Sequence, residues 1–360
     1  MQRLQGSDPG AGGVVAWIDE RIQARTLIGA LLHVRIPFLA KTYYLGGITL
    51  FLFGVQLATG TLLLLYYQPT PETAYESVLF ITSEVTFGWL VRSIHHWAAN
   101  LMIITLVLHV VRIFFQAAYK YPREMTWLVG IGLLGVTIGF GFTGYLLPWD
   151  QRAFWATVVG TEIVGAVPWV GEPILELLRG GADISDATLT RFFAIHVMIL
   201  PVVFAGLIAL HLVFVHQTGL ASPKRPDPRP REEVTGEPER TKPFFPHYVL
   251  DEVLAWYVVL AALVVLASLF PAGLEEEANA LVTPEHTKPE WYFLSVYELL
   301  KHVPRLVGVL TPVILVVVLA MLPFIDRSRE VRPRRRRLAI LLGLIFLVGL
   351  VGLTIRGYVS

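Results

Sequence analysis

Seven long apolar stretches dominate this chain of 360 residues and limit the structures that it can form. A helix that crosses the hydrocarbon core of a bilayer needs about 20 consecutive apolar residues. Hydrophobic residues make up 54% of the sequence and charged residues only 16%. We therefore predict an all-α integral membrane protein with seven transmembrane helices. The predicted spans are residues 45–67, 90–115, 127–147, 192–215, 253–270, 306–324 and 338–355.

The composition excludes several classes of protein. No cysteine is present, so the chain can form no disulfide, hold no thiolate-bound iron–sulfur cluster and carry no cysteine-linked haem. The 29 Lys and Arg nearly cancel the 28 Asp and Glu, and this balance does not indicate a nucleic-acid partner. The first 13 residues lack an apolar core, so no cleavable signal peptide is expected.

Lys and Arg are distributed unevenly between the two sets of loops. If the N-terminus is cytoplasmic, the inner segments carry 20 Lys and Arg. The outer loops 150–186 and 271–304 then carry only two each, with six acidic residues each. In membrane proteins the cytoplasmic loops hold the excess of basic residues. The sequence thus predicts a multi-pass protein of the cell inner membrane, with its N-terminus in the cytoplasm and its C-terminus outside.

The chain divides into four segments where the composition changes. Residues 1–41 precede the first span, and within them residues 14–32 are predicted to form an amphipathic helix on the cytoplasmic membrane surface. Residues 42–217 hold the first four spans, and residues 251–360 hold the last three. The intervening residues 218–250 are rich in proline and charge, as is typical of a linker.

Four of the ten histidines lie inside predicted spans, where a polar side chain is costly and needs a partner. His95 and His109 are 14 residues apart on the second span, and His196 and His211 are 15 apart on the fourth. A helix turns about 100° and rises about 1.5 Å per residue, so the members of each pair share a face about 21 Å apart. Both spans run from outside to inside, which places His95 level with His196 and His109 level with His211. Two b-type haems would require two such pairs.

Glycines repeat at the same spacing on the first and third spans. Gly46 and Gly60 are 14 residues apart, as are Gly130 and Gly144. Small residues allow a flat ligand or a neighbouring backbone to approach closely. We therefore expect one glycine of each pair to border each haem plane.

Basic side chains stand close to two of the histidines. Arg92 lies three residues before His95, and Arg112 lies three residues after His109. These cations are suited to pair with haem propionates, although long basic side chains also reach the membrane interface for solvation alone. The sequence leaves both roles open.

At these residues the chain resembles cytochrome b of the cytochrome bc complexes, over nearly its whole length. Residues 147–151 carry the family's Leu-Pro-Trp-Asp-Gln sequence, and residues 289–292 match its Pro-Glu-Trp-Tyr signature. Residues 91–95, and the 15-residue histidine spacing, are most similar to the cytochrome b6 branch. The first four spans thus resemble cytochrome b6 with its dihaem four-helix bundle. The last three resemble subunit IV, joined here through the linker.

The resemblance implies the cytochrome b subunit of a proton-translocating quinol:cytochrome c oxidoreductase of electron transport. It implies two noncovalent b haems, an outer low-potential one on His95 and His196 and an inner high-potential one on His109 and His211. The implied partners are a Rieske iron–sulfur protein and a c-type cytochrome, in a complex expected to be a homodimer. One electron from quinol would pass to the Rieske protein, and the other through both haems to an inner quinone site.

The resemblance also assigns residues to the two quinone sites. Glu290 is the expected proton acceptor of the outer site, with Tyr292 and Tyr297 lining the same pocket. The loop 155–178 is expected to form the opposite wall as short surface helices. At the inner site, His216 is expected to contact quinone and Asp251 to supply protons.

One position departs from the cytochrome b6 pattern. Tyr44 stands where cytochrome b6 relatives have the cysteine that bonds an extra haem, and this chain has no cysteine. No covalent haem is therefore expected. Whether a noncovalent haem binds near Tyr44 is left open by the sequence.

Two other interpretations account for histidines inside a membrane. A dihaem membrane anchor of a dehydrogenase or hydrogenase needs only four or five helices, and it gives no role to residues 289–292 or to the last three spans. A transporter that relays protons through histidine would often show a repeat between its halves, and no such repeat is evident. A reduced-minus-oxidised visible spectrum would separate the haem proteins from the transporter.

Overall fold

The computed structural model describes residues 35–37, 44–220, 241–284, 288–328 and 330–360. Seven helices within these residues are long and apolar enough to cross a membrane, and each overlaps one of the seven predicted spans. The predicted all-α membrane fold with seven spans is thereby confirmed. The predicted surface helix 14–32 and residues 221–240 of the predicted linker lie outside the described residues.

The described residues form twelve α-helices, numbered in chain order. They are α1 (Leu45–Leu64), α2 (Ala74–Ser83), α3 (Gly88–Phe115), α4 (Glu124–Tyr145), α5 (Gln151–Gly165), α6 (Gly171–Arg179), α7 (Asp186–Ala194), α8 (Leu200–Thr218), α9 (Val249–Leu269), α10 (Leu294–His302), α11 (Arg305–Ile325) and α12 (Arg337–Val359). A π-helical turn, Ile195–Ile199, joins α7 to α8 in one continuous span. Two three-residue strands, β1 (Arg35–Pro37) and β2 (Thr241–Pro243), form an antiparallel pair before α1 and α9.

Local sequence signals account for several helix ends. Proline cannot continue a helix, and α4 and α9 end shortly before Pro148 and Pro271. The carboxylate of Asp150 accepts a hydrogen bond from the backbone N–H of Ala153 at 2.9 Å, which caps the first turn of α5. Helices α5 and α6 are the short helices predicted in the loop 155–178.

An apolar core at mid-depth joins the four spans of the first part, which are α1, α3, α4 and the α7–α8 helix. Its buried side chains come from these spans and from α9. They are Leu52, Phe53, Ala98, Met102, Leu133, Phe204 and Leu263. The ring centroids of Phe53 and Phe204 are 4.1 Å apart. Because lipid is as apolar as these residues, close van der Waals packing is what holds such helices together.

We call the end of the bundle that carries α2, α5, α6 and α10 the outer end, after the topology predicted above, and the opposite end the inner end. At the outer end, residues 270–282 after α9 form a segment that we call the outer strap. The indole of Trp97 donates a hydrogen bond to the carbonyl of Phe270 at 2.7 Å, and the backbone N–H of Gln151 donates to the carbonyl of Glu276 at 2.8 Å. The outer strap therefore joins the last three spans to α3 and α5.

At the inner end, polar side chains join the α3–α4 loop to the α11–α12 loop. Asp326 accepts hydrogen bonds from the Tyr119 hydroxyl at 2.6 Å and from Lys120 at 2.9 Å. The guanidinium of Arg336 also approaches Asp326, at 3.4 Å. The three-helix part is thus anchored to the first part at both ends.

Candidate functional site

His95 of α3 and His196 of the π-helical turn face each other at the outer end of the bundle. The centroids of their imidazole rings are 6.4 Å apart, and the ring planes are inclined by 67°. A metal–imidazole bond is about 2.0 Å long, so this separation leaves room for one metal ion bound by both rings. Both side chains border a cavity of about 660 Å³.

A threonine hydroxyl orients each of these imidazoles. Thr59 lies 2.9 Å from His95 Nδ1, and Thr143 lies 3.1 Å from His196 Nδ1. Each hydroxyl donates its own hydrogen to the backbone carbonyl four residues earlier, at 2.7 and 2.8 Å. The hydroxyl therefore accepts from the Nδ1–H of the imidazole. This tautomer leaves the Nε2 lone pair of both histidines available to a metal.

Each of the four glycines at 14-residue spacing contacts one of the four histidines. The pairs are Gly60 with His95, Gly144 with His196, Gly46 with His109 and Gly130 with His211. A Cβ atom added at Gly144 would lie 2.5 Å from Cε1 of its histidine, and at the other three glycines the distance would be 3.2 to 3.4 Å. The absent side chains thus leave space for the imidazole rings.

The π-helical turn accounts for the longer histidine spacing on the α7–α8 helix. A π-helical turn contains one residue more than an α-helical turn and occurs mostly at functional sites. The turn Ile195–Ile199 includes His196, so 15 residues on this helix advance about as far as 14 residues on α3. His211 consequently comes to the level of His109, as His196 does to that of His95.

These observations test whether the chain can hold two haems. At the outer level, the free Nε2 atoms, the ring separation and the cavity suit an iron bound by two imidazoles. At the inner level, the glycine contacts repeat, at His109 and at His211. The residues present fit a bis-histidine haem at each level.

The outer cavity extends from the histidines to residues 289–292. Its lining includes Glu290, Tyr292 and Tyr145, which ends α4. The Tyr292 hydroxyl donates to the carbonyl of Gly141 at 3.5 Å, whereas the buried Tyr145 hydroxyl has no hydrogen-bond partner among the described residues. A tyrosine at the end of a span is typical of the aromatic belt at a membrane interface, so the sequence pattern did not distinguish Tyr145.

Glu290 is partly buried in this cavity, and its surroundings act on its pKa in both directions. Burial raises the pKa of its carboxyl, the cation of Arg152 lowers it, the anion of Asp150 raises it again, and a hydrogen bond from the backbone of Trp291 lowers it. The net result is a pKa above the ordinary value of glutamate. A carboxylate in this environment is suited to accept a proton from a bound ligand.

The segment around Glu290 is attached to α3. The indole of Trp291 donates a hydrogen bond to Oδ1 of Asn100 at 2.6 Å, and the amide nitrogen of Asn100 donates to the carbonyl of His96 at 2.9 Å. Tyr297 lies further along on α10, with Lys301 Nζ at 4.5 Å from its ring centroid. Of the three predicted outer-site residues, the cavity lining brings together Glu290 and Tyr292.

The two arginines predicted near the histidines have protein partners. Arg92 lines the outer cavity and donates to the carbonyls of Ala272 and Gly273 in the outer strap, at 2.8 and 2.6 Å. Arg112 donates from Nε to the side-chain oxygen of Gln116 at 3.1 Å. Arg92 therefore holds the outer strap over the cavity while its charge borders the same space.

Near the inner end, Asp251 is exposed and belongs to a polar cluster. Its carboxylate accepts hydrogen bonds from Lys242 at 2.6 Å and from the Tyr44 hydroxyl at 3.1 Å. Lys242 also donates to the Tyr44 hydroxyl at 2.9 Å. The tyrosine at the unusual position is thereby bonded to the start of α9.

Another carboxylate, that of Glu252, turns toward α1. A Cβ atom added at Gly47 would overlap this carboxylate. Glu252 is only partly exposed, whereas His216, near the end of α8, is exposed. Glu252 is therefore a candidate for the inner site that the sequence pattern did not single out, because hydropathy does not fix which of two adjacent acids faces the bundle.

The chain matches known proteins over most of its length. The family model described as Cytochrome b/b6/petB matches residues 33–219, and the model described as Cytochrome b(C-terminal)/b6/petD matches residues 277–360. A cytochrome bc complex cytochrome b subunit from Chlorobaculum thiosulfatiphilum is 40% identical over 353 residues, which cover 96% of this chain and 81% of that protein. Cytochrome b6 from Emiliania huxleyi is 43% identical over 211 residues, which cover 58% of this chain and 98% of that protein.

A solved structure agrees with these matches. A chain of a hyperthermophilic respiratory Complex III superposes with a TM-score of 0.86 at 33% identity, and the match covers 96% of this chain and 91% of that one. Together these similarities favour the cytochrome b interpretation over a dihaem anchor or a transporter. The chain therefore belongs to the cytochrome b/b6 family, as the cytochrome b subunit of a bc-type complex.

Proposed function

We propose that this chain is the part of a quinol:cytochrome c oxidoreductase that oxidises quinol, and that it does so in the outer cavity. The observation that carries the proposal is the continuity of this cavity, which is bordered by His95 and His196 as well as by Glu290 and Tyr292. A quinol bound there would lie beside both a proton acceptor and the ligands of a redox metal. Quinol oxidation requires both, because it releases protons and electrons.

The four intramembrane histidines are proposed to hold two noncovalent b haems, His95 and His196 the outer low-potential one and His109 and His211 the inner high-potential one. When bound, these groups supply a path for one electron at a time across the bundle. The residues of the chain orient the imidazoles through Thr59 and leave space for them at the glycines. The apolar core at mid-depth separates the two levels.

In the outer cavity, the carboxylate of Glu290 is proposed to take a proton from a quinol hydroxyl. Its raised pKa supports this role, since a carboxyl that binds protons more tightly than usual is a stronger acceptor. The ring of Tyr292 provides a surface for the quinol, and Tyr297 is proposed to act nearby from α10. One electron is proposed to leave to a Rieske iron–sulfur protein and the other to cross the bundle inward.

A second quinone site is proposed at the inner end, between α1, α8 and α9. His216 is proposed to contact the quinone, and a carboxylate at the start of α9 to supply protons. Asp251 is already bonded to Lys242 and Tyr44, so we propose that Glu252 shares this task. Uptake of protons at this site and release at the outer one would together translocate protons.

The assembly and the topology are part of the same proposal. The chain is proposed to form a homodimer with Rieske and c-type cytochrome partners, in the cell inner membrane, with its N-terminus in the cytoplasm. The charge bias of the loops supports this orientation. The division into residues 1–41, 42–217, 218–250 and 251–360 is proposed on composition.

The variant Glu290→Gln tests the outer site. It keeps the shape and the hydrogen-bonding groups of the side chain but cannot take a proton. We expect quinol:cytochrome c turnover of the purified complex to fall about 100-fold, because general-base catalysis typically contributes factors of this size. Both haems should remain in the reduced spectrum.

The matched control is Glu276→Gln, which removes the same charge from an exposed position of the outer strap. It should leave turnover near the wild-type rate. If Glu290→Gln turned over at the wild-type rate at every pH, Glu290 would not be the proton acceptor. A reduced spectrum of the wild-type protein without b-type bands would contradict the whole proposal.

A further inference from the structure

The outer cavity contains a cation to which neither haem binding nor proton uptake assigns a role. Arg152 is the second residue of α5 and lines the cavity together with Glu290. Its guanidinium forms an ion pair with Glu275 of the outer strap, which lines the same cavity. The side chains of this pair are 53% and 41% exposed, so the pair lies at the mouth of the cavity, between its interior and the outer solvent.

The groups that act electrostatically on Glu290 come from three elements. They are Asp150 and Arg152 around the start of α5, Tyr145 at the end of α4 and Tyr292 beside Glu290 itself. The two tyrosines are neutral phenols. The carboxylate of Asp150 is held in place by the backbone N–H groups of Ala153 and Glu275, at 2.9 and 3.3 Å.

Arg152 alone is positive among these groups. Arg92, which also lines the cavity, is engaged with two carbonyls of the outer strap. Burial and the fixed anion of Asp150 both favour the protonated form of Glu290, whereas Arg152 and a hydrogen bond from the backbone of Trp291 favour the ionised form. Without this cation, Glu290 would already carry a proton over more of the working pH range and could not accept one.

We propose that Arg152 is a positioning residue of the outer site, anchored by Glu275, that keeps Glu290 ionised until a quinol proton arrives. The inference rests on the proposed function, because it concerns the proton acceptor of quinol oxidation. Arg152 does not take the proton itself, since a guanidinium stays protonated throughout the physiological pH range. Its effect is electrostatic and acts through Glu290.

The pH dependence of quinol:cytochrome c turnover in the purified complex tests this role. Turnover should fall on the acidic side as Glu290 becomes protonated. In Arg152→Met the pKa of Glu290 rises, so this acidic limb should move to higher pH by about one unit, the lower end of the effect of a neighbouring opposite charge. Arg152→Lys keeps the charge and should restore most of the wild-type profile.

A change at Glu275, the ion-pair partner of Arg152, should move the acidic limb in the opposite direction. Glu275→Gln frees the guanidinium charge from its competing anion, so the acidic limb should move to lower pH. The double variant Arg152→Met with Glu275→Gln should match Arg152→Met alone, since Glu275 acts through the arginine. Glu276→Gln removes a neighbouring negative charge of the strap and should leave the acidic limb where the wild type has it.

The outcomes separate this inference from the proposed function. If Glu290→Gln abolishes the acidic limb but Arg152→Met leaves it at the wild-type pH, the role of Arg152 is refuted and that of Glu290 stands. If Glu290→Gln keeps the wild-type limb, the proposed proton acceptor is refuted, and the role of Arg152 with it. If Arg152→Met fails to assemble with both haems, Glu275→Gln tests the inference instead. A shift of its acidic limb to lower pH supports the inference, and an acidic limb at the wild-type pH overturns it.

Discussion

Each histidine proposed as a haem ligand lies against a glycine of a neighbouring helix. Glycines in membrane helices usually let two backbones approach, but here an imidazole ring occupies the space. The contact is closest at Gly144, where an added Cβ would lie 2.5 Å from Cε1 and 3.0 Å from Nδ1 of His196. A methyl group at this position would therefore compete with the histidine for the same volume.

We expect Gly144→Ala to displace His196 and to lower the haem content from two per chain to about one. The outer haem should be the one lost, with the inner haem unchanged in a redox titration of the reduced spectrum. Gly135→Ala on the same helix is the matched control, because its added Cβ would meet nothing within 4 Å. Two haems with wild-type potentials in Gly144→Ala would show that His196 does not need this space.

Tyr44 supports a prediction about the number of haems and how they are attached. A thioether bond to a haem needs a thiol, and the chain has none. The hydroxyl of Tyr44 is bonded to Asp251 and Lys242 instead. We expect two haems per chain that both extract into acid acetone, and no haem-stained band at 40.2 kDa on a denaturing gel. A stained band would refute the absence of a covalent haem, and a third extractable haem would refute the count of two.

The spacing of residues in the sequence predicted which helix faces meet, but it did not predict which side chains form hydrogen bonds. The 14-residue repeats identify the faces of four helices, but they do not show that the hydroxyl of Thr59 reaches Nδ1 of His95. That contact depends on side-chain rotamers, which hydropathy does not fix. Hydropathy likewise does not show which of Asp251 and Glu252 faces the bundle, because adjacent side chains on a helix point about 100° apart. The family resemblance favoured Asp251, which is the exposed one of the two acids.

Among the elements, the long spans were predictable and the connections were not. Apolar runs of about 20 residues identify each span, since the bilayer thickness determines their length. The π-helical turn Ile195–Ile199 left only an indirect sign, the 15-residue spacing of two histidines. The outer strap left none, because its hydrogen bonds join side chains of α3 to backbone carbonyls that are far away in sequence.

The inner anchor between the α3–α4 and α11–α12 loops gives a prediction about stability. Asp326 is 19% exposed, and it accepts hydrogen bonds from Tyr119 and Lys120. Burial raises the pKa of Asp326, but the hydrogen bonds from Lys120 and Tyr119 outweigh it and hold the pKa at about 2. Because this pKa lies below that of an unfolded aspartate, the anchor stabilises the chain above about pH 4 and ceases to do so as the pH falls through 2.

Asp326→Asn should therefore destabilise the folded chain by about 3 kcal/mol near neutral pH, since it leaves Lys120 buried without its anion. The apparent melting temperature of the detergent-solubilised protein should drop. The gap in melting temperature between the variant and the wild type should narrow as the pH is lowered from 4 to 2. Asp183→Asn, an exposed position of the outer loop, is the control and should melt like the wild type. A gap that stays constant with pH would contradict the ionised anchor.

At the scale of the whole molecule, charge separates the two ends of the bundle. Residues 326–337, from the end of α11 to the first residue of α12, contain seven Arg, and the outer strap contains three consecutive glutamates. The outer cavity with Glu290 opens on the acidic end, and the cluster of Lys242 and Asp251 lies at the basic one. If the basic end is cytoplasmic, the protons of the proposed quinol oxidation leave on the outside, as proton translocation requires.

The absence of cysteine allows a direct test of this orientation, because each introduced thiol is the only one in the chain. Gly181→Cys lies in the outer loop with open space around its Cβ, and Arg334→Cys lies exposed in the basic loop. A membrane-impermeant maleimide should label Gly181→Cys in intact spheroplasts and Arg334→Cys only in inverted vesicles. The wild-type chain should stay unlabelled in both. The reverse pattern would place Glu290 on the cytoplasmic side, where oxidation of quinol could not release protons to the outside.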